Sequence, residues 1–284
     1  MNSDKLSSIN TKIKIIVVKY ILFLGQKTIV GRGQIRKKII KFINYFIGRG
    51  GINESRFVCN VNGIPFNFYN DLLTEIKIYF GRNENKEIDF IVKNSKDNSV
   101  FIDIGANMGL YSQIVAFKNY NYKNIKIISI DANPWNILRI ENNLKLLKKK
   151  IPNIFSIVKV KNCALGDENC KLNLNFSKGL ANGVTSNEKS TNSIEVNCKK
   201  LTDIVQEEKL TFVSNLKIDI EGFEDRVLIN FFENSKKNLY PNNIILEHSS
   251  QHLWKVNLLK YLSNIGYNEI YKNKSNIILQ YNQL

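Results

Sequence analysis

Histidine, cysteine and long apolar runs are all scarce in this chain, and each scarcity excludes something. The four cysteines, Cys59, Cys163, Cys170 and Cys198, show no CxxC spacing and no disulfide density, which argues against a zinc ribbon and against a stapled secreted mini-domain. They read most simply as free thiols in a reducing, cytoplasmic compartment. The two histidines, His248 and His252, stand four apart as helical metal ligands would, yet His248 closes an apolar strand and His252 falls in the following helix. The longest apolar stretch, IKIIVVKYILFL at 13–24, is about half the roughly 20 residues a bilayer span requires, and Lys14 and Lys19 interrupt it. A signal peptide fits poorly too, because 25–33 adds charge without a small-residue cleavage site. With 284 residues and 43% apolar content the chain has ample material for a core, so disorder is excluded.

What is abundant is positive charge, and it is unevenly placed. The formal net charge is +16, and residues 1–56 carry twelve Lys and Arg against Asp4 and Glu54 alone. Two readings of this arm stay open. Interfacial helices can rest on an anionic membrane, each basic residue adding on the order of 1 kcal/mol near such a surface. Alternatively the apolar stripe packs on the protein's own domain and the lysines are its solvated face.

Beyond a hinge-like GRGG at 48–51, FVCNVNGIPFNFYN at 57–70 carries Asn62-Gly63 between alternating runs and predicts a hairpin. Residues 71–95 have helix-like spacing at Leu72, Leu73, Ile76, Tyr79 and Phe80. From 99 onward short apolar strands alternate with helices: SVFIDIG, IKIISID, IFSIVKVKNCAL, LKIDIEG and NIILEHS read as strands. KLNLNF and IEVNC suggest an inserted hairpin, HLWKVNLLKYLSNIG a helix, and YNEIY with SNIILQY a closing pair. Continuously apolar strands alternating with helices imply a doubly wound, mainly parallel α/β sheet covered on both faces. The expected organisation is an arm at 1–56, a lead-in at 57–98 and the main domain at 99–284.

In such a sheet ligands bind beyond the carboxyl ends of the strands. Asp103, Asp131 with Asn133, Asn162 with Cys163, Asp219 with Glu221, and Glu247 with His248 fall at those ends. VFIDIGANMGLYS at 100–112 predicts a glycine turn between strand and helix, where backbone and helix N-terminus accept an anionic group. Asn107 replaces the second glycine of a dinucleotide fingerprint, and no Gly-Lys-Ser/Thr follows, which excludes a dinucleotide and a Walker loop. A smaller ligand with a nucleoside part and an amino-acid carboxylate remains. Asp131 is placed to accept bonds from both ribose hydroxyls; the competing role, capping the helix after Pro134, suits Asn133 better.

These strings, IDIGANMGLYS, IDANPWNILRIENNLKL, NCALGD, LTDIV, LKIDIEGFEDRVL and IILEHS, resemble in order and spacing the FkbM family of S-adenosylmethionine-dependent methyltransferases over roughly 57–270. One departure is Ile-Asp-Ala-Asn-Pro where the family more often has a Phe-Glu-Pro sequence. The resemblance implies a class I methyltransferase with a seven-stranded sheet that methylates a hydroxyl, commonly of a sugar or natural product. It implies that Gly105, Ala106, Asn107 and Gly109 cradle the methionine end, that Asp131 and Asn133 meet the ribose, and that Cys163 and Ala164 edge the adenine. Asp103 would hold the glycine loop or the cofactor's ammonium.

The base that takes the acceptor's proton is expected among Asp219, Glu221 and His248, all at one rim. Two adjacent carboxylates raise each other's pKa; equally they could hold a divalent ion. Glu221 has a competing role as a helix cap before Phe223. The acceptor is expected to be a carbohydrate or lipid-linked glycan. A nucleic-acid methyltransferase is the alternative that the basic character suggests, although no Asn-Pro-Pro-aromatic motif is present and the rim candidates are acidic. A third is an inactive methyltransferase fold that binds membrane surfaces.

Overall fold

Five runs rich in branched apolar residues, a composition that suits a pleated surface buried on both faces, become the parallel centre of one sheet. In the computed structural model they are β3 (Val100–Ile104), β4 (Lys126–Asp131), β5 (Val158–Asn162), β10 (Asn215–Ile218) and β11 (Asn243–Glu247). Every residue of β3, β10 and β11 is buried. Two antiparallel strands, β12 (Tyr267–Lys272) and β13 (Asn276–Tyr281), complete seven, in the order β12-β13-β11-β10-β3-β4-β5. The chain therefore builds outward from β3 to β5, returns to lay β10 on the other side of β3, and continues outward again. The reversal falls between β3 and β10, where a doubly wound sheet opens a crevice. The expected fold class is the one observed.

The structure describes residues 3–27, 33–47, 55, 57–61, 63–69, 78, 84–176, 183–186 and 190–282. The expected hinge at 48–51 and the helical spacing from Leu72 to Phe80 lie outside them. Residues 1–85 and 86–284 form two compact units. In the first, helices α1 (Ser3–Lys27) and α2 (Gly33–Ile47) bury Val18, Leu22 and Ile43. The hairpin is present, β1 (Phe57–Val61) pairing with β2 (Ile64–Phe68) so that Val61 faces Ile64, and Phe57 stacks on Phe68 at 4.7 Å. Among the described residues no helix is long and apolar enough to cross a membrane.

In the second unit three expectations change. Residues 154–157 of the expected third strand form a short helix, because Ile154 and Ile157, three apart, both turn into the core, and only 158–162 joins the sheet. The expected inserted hairpin is part of a four-stranded sheet: β7 (Cys170–Phe176) pairs antiparallel with β9 (Ser193–Lys200) and β8 (Gly183–Ser186), while β6 (Ala164–Gly166) joins β9 in parallel. The helix expected from His252 starts at Leu258, where the Asn257 side chain accepts the Lys260 N–H at 3.1 Å; a 3₁₀ turn precedes it.

Candidate active site

Strand register decides which side chains share the crevice. Ile130, Ile104, Ile218 and Leu246 pair in sequence across β4, β3, β10 and β11. The next position on each strand gives the row Asp131, Gly105, Asp219, Glu247, all with the same parity and hence the same face. Two strand spacings of ~4.8 Å set Asp131 and Asp219 about 10 Å apart, and the residue between them has no side chain. Asp219 and Glu221, the acids of LKIDIEG, thus stand just past the end of β10, one half-buried and the other exposed.

The glycine turn is fastened from several sides. Gly105 and Ala106 donate to Ile130 O, each at 3.0 Å, and Asp219 N donates to Ile104 O at 3.2 Å. A Cβ on Gly105 would lie 1.8 Å from Asp219 O, and φ there is +71°, so close backbone approach as well as conformation demands glycine. Asn107 is left-handed at φ 52°, a conformation asparagine tolerates better than most residues; its substitution for the fingerprint glycine therefore keeps the turn. Gly109 leads into the helix Leu110–Asn119, and Asn143 holds the turn from behind by donating to Met108 O at 3.0 Å.

Asp131 is a brace before it is anything else. Its Oδ2 accepts Asn107 N at 2.7 Å, and its Oδ1 accepts Asn133 N at 2.8 Å and Asn136 Nδ2 at 3.2 Å. A carboxylate has about four acceptor positions, so about one remains, enough for one ribose hydroxyl rather than the two expected from sequence. Burial pushes its pKa up to about 6 against the lowering effect of these bonds. Asn133 caps the helix Pro134–Leu147 by accepting Trp135 N at 3.0 Å.

Asp103 is fully buried. Its Oδ2 accepts Ser112 Oγ at 2.7 Å and Ser112 N at 3.2 Å, while Oδ1 has no partner. Burial raises its pKa, opposed first by the charge of Lys217. Lys217, which sequence reasoning passed over, is itself buried, donates to Gly105 O at 2.9 Å and pairs with Asp219 Oδ2 at 3.5 Å. A lysine two residues before the acid, inside an apolar strand and on the acid's face, was the available signal.

Beyond β10 the backbone turns sharply. Glu221 is left-handed at φ 54°, which for a glutamate costs on the order of 1 kcal/mol or more. Glu224 holds it so: buried, it accepts Ile220 N at 2.8 Å and Gly222 N at 3.0 Å, and the Trp254 indole at 2.8 Å. The cap role considered for Glu221 is not filled: the helix Glu224–Asn234 has Phe223 at its N-cap and no side-chain cap hydrogen bond. Glu221 is exposed at the rim and accepts from Ser250 Oγ at 3.3 Å; desolvation, then the charge of Asp219, raises its pKa.

His248 is held at one ring nitrogen. Its backbone N donates to Ser275 O, and ring Nε2 lies 3.1 Å from Asn273 O, so Nε2 carries a proton and anchors the turn between β12 and β13. The neighbouring Glu247 is the missed candidate. Its Oε1 accepts Ser249 N at 2.9 Å, Oε2 is buried without a partner, and desolvation, then the charge of Asp219, pushes its pKa up to about 7. Cys163 and Ala164 are both buried, Cys163 in the main core and Ala164 in the smaller sheet's cluster, against which Ala132 and Trp135 pack. Burial lifts the Cys163 thiol to about 11, which keeps it protonated at neutral pH. Among the described residues no group of three His, Cys, Asp or Glu is placed to hold a metal ion.

A doubly wound seven-stranded sheet with a glycine turn and acids along its switch-point edge defines a class I methyltransferase fold. The sequence matches the Methyltransferase FkbM domain over residues 103–269, more than half of the chain, and the protein belongs to the FkbM methyltransferase family. Three solved methyltransferase structures show a distant similarity to the chain. Methyltransferase FkbM from Methylobacillus flagellatus KT is 16% identical, with 66% of this chain and 44% of that one covered and a TM-score of 0.45. A precorrin-6y C5,15-methyltransferase from Geobacter metallireducens GS-15 is 13% identical, with 71% and 90% covered and a TM-score of 0.40. Trm5b from Pyrococcus abyssi is 15% identical, with 78% and 55% covered and a TM-score of 0.40. This chain thus spans less than half the length of the Methylobacillus protein. No curated protein matches it in sequence.

Proposed function

We propose that this methyltransferase uses S-adenosylmethionine to methylate a hydroxyl group of a sugar, glycan, lipid-linked or natural-product acceptor. The observation that carries the reading is the row Asp131, Gly105, Asp219, Glu247 at the switch point. The residues present fit the cofactor. The unpartnered, buried Oδ1 of Asp103 suits its ammonium, the turn Gly105–Ala106–Asn107–Gly109 and the helix end after it suit its carboxylate, and the remaining acceptor position of Asp131, with Asn133 beside it, suits a ribose hydroxyl. Adenine would lie against Ala132, beside the buried Cys163 and Ala164. The cofactor supplies an electrophilic methyl group on a sulfonium.

The chain has two further tasks. It must align the acceptor oxygen, which supplies on the order of 7–11 kcal/mol, and take its proton, which adds about 10²–10⁴-fold. We assign alignment to Asp219 and Glu221, half-buried and exposed at the rim, and the proton to Glu247, whose pKa near 7 suits a base at neutral pH. An acidic mouth favours a neutral hydroxyl acceptor over a polyanionic nucleic acid, since Lys217, the cation beside it, is committed to Gly105 O and Asp219.

Calorimetry with S-adenosylmethionine tests the first half: micromolar-range binding supports it. Mass spectrometry of glycans and lipids from cells with and without the protein tests the second. A mass gain of one methyl group on a carbohydrate or lipid-linked fraction is expected; a gain confined to RNA would replace the acceptor class.

A further inference from the structure

Helix α1 is apolar on two sides. Val18 and Leu22 are buried within the N-terminal unit, as an ordinary amphipathic helix requires. At about 100° per residue, Ile13, Ile16, Tyr20 and Phe23 gather within roughly 80° on the opposite side, where they stand 54%, 65%, 62% and 54% exposed. Lys12 and Lys19 are exposed along the border of that stripe. Helix α2 repeats the pattern: Ile35, Phe42 and Tyr45, at 50%, 43% and 90% exposure, fall on one face with Lys38 and Lys41 exposed among them. Packing on the protein's own unit accounts for the Val18–Leu22 side only. A merely solvated second face would be polar.

We infer that this second stripe is a docking surface for an anionic lipid bilayer, with α1 and α2 lying in the headgroup region. A bilayer satisfies both halves of the surface: acyl chains take up the isoleucines and phenylalanine, tyrosines sit at headgroup depth, and anionic headgroups face the lysines. The other occupants satisfy one half each. A second copy of the chain would cover the stripe, but it would bring together two arms that each carry twelve basic residues against two acidic ones. A nucleic acid would match the charge and leave Ile13, Ile16 and Phe23 in water. Neither helix is long and apolar enough to cross the membrane, so the surface rests on it. Such docking is independent of the acceptor assigned above.

The test is flotation of the full chain with phosphatidylcholine vesicles, with and without about a third phosphatidylglycerol, at low salt and at about 0.5 M salt. The full chain floats with the anionic vesicles, and high salt or neutral vesicles reduce this at least tenfold. The variant I16D/F23D loses binding at least tenfold with unchanged thermal unfolding, since both positions are exposed; should it melt early, I16S/F23S gives the same reading. K12Q/K19Q weakens anionic binding severalfold. Absence of flotation, or equal flotation of the aspartate variant, overturns the inference. A concentration-dependent dimer that this variant dissociates would assign the stripe to a second copy, and RNA binding without flotation would assign the arm to nucleic acid.

Discussion

Replacing Glu247 by glutamine should make the protein more stable at alkaline pH and about 1 kcal/mol less stable in acid. Desolvation at the end of β11, then the charge of Asp219, lifts this carboxyl from its ordinary 4.5 to about 7. The folded-state pKa is raised, so the sign runs against the usual acid. Below pH 4.5 the group is protonated in both states and contributes nothing. Between 4.5 and 7 the unfolded chain releases the proton while the folded chain retains it, and stability falls as pH rises. At about 1.4 kcal/mol per pH unit, the separation amounts to roughly 3 kcal/mol once the pH exceeds 7. Glutamine keeps the acceptor for Ser249 N and removes the charge. Allowing about 1 kcal/mol for its amide facing a site without a partner, the gain at pH 8 is about 2 kcal/mol, or about 4–8 °C in Tm at 2–4 °C per kcal/mol. Thermal unfolding of both proteins from pH 4.5 to 8.5 checks this. Curves that stay parallel across that range would refute the reasoning, because they would mean that Glu247 ionises in the fold without cost.

The glycine turn gives a second prediction: Gly105→Ala, whose Cβ meets Asp219 O at 1.8 Å, should lose on the order of 2–4 kcal/mol in denaturant unfolding and abolish cofactor binding in calorimetry. Asp131→Ala should weaken S-adenosylmethionine binding at least tenfold, and because the same carboxylate holds Asn107 N and Asn133 N, it should also cost about 1–3 kcal/mol of stability. Glu221→Gln, at an exposed rim position, should leave cofactor affinity within about twofold and lower turnover at least tenfold; a mirror-image result from these last two variants would reverse the roles assigned to them.

The sheet and the acids along its switch-point edge were legible because buried parallel strands announce themselves as short apolar runs, and a carboxylate at the end of such a run has few reasons to be there. Register was not legible. It depends on which strands become neighbours, and only the pairing of Ile218 with Ile104 and Leu246 puts Asp219 beside both Gly105 and Glu247. Lys217 and the closeness of Glu247 to Asp219 stay hidden in the sequence for that reason. Nor does the sequence show that the His248 ring is held by Asn273 O, 25 residues away in the chain. Where apolar residues are few, as at Ile154 and Ile157, strand and helix spacing look alike, and burial against the sheet decides. The second apolar side of α1 was hidden in a run that reads as uniformly apolar until exposure separates its faces.

The central claim is that a single crevice over Gly105, between Asp131 and Asp219, receives the methyl donor. A crystal structure with S-adenosylhomocysteine tests it most directly: the account places the amino-acid end on the 105–109 turn and the ribose at Asp131, with the sulfur directed toward Asp219 and Glu247. Ligand density at another edge of the sheet, or a crevice that stays empty at saturating ligand, would contradict it.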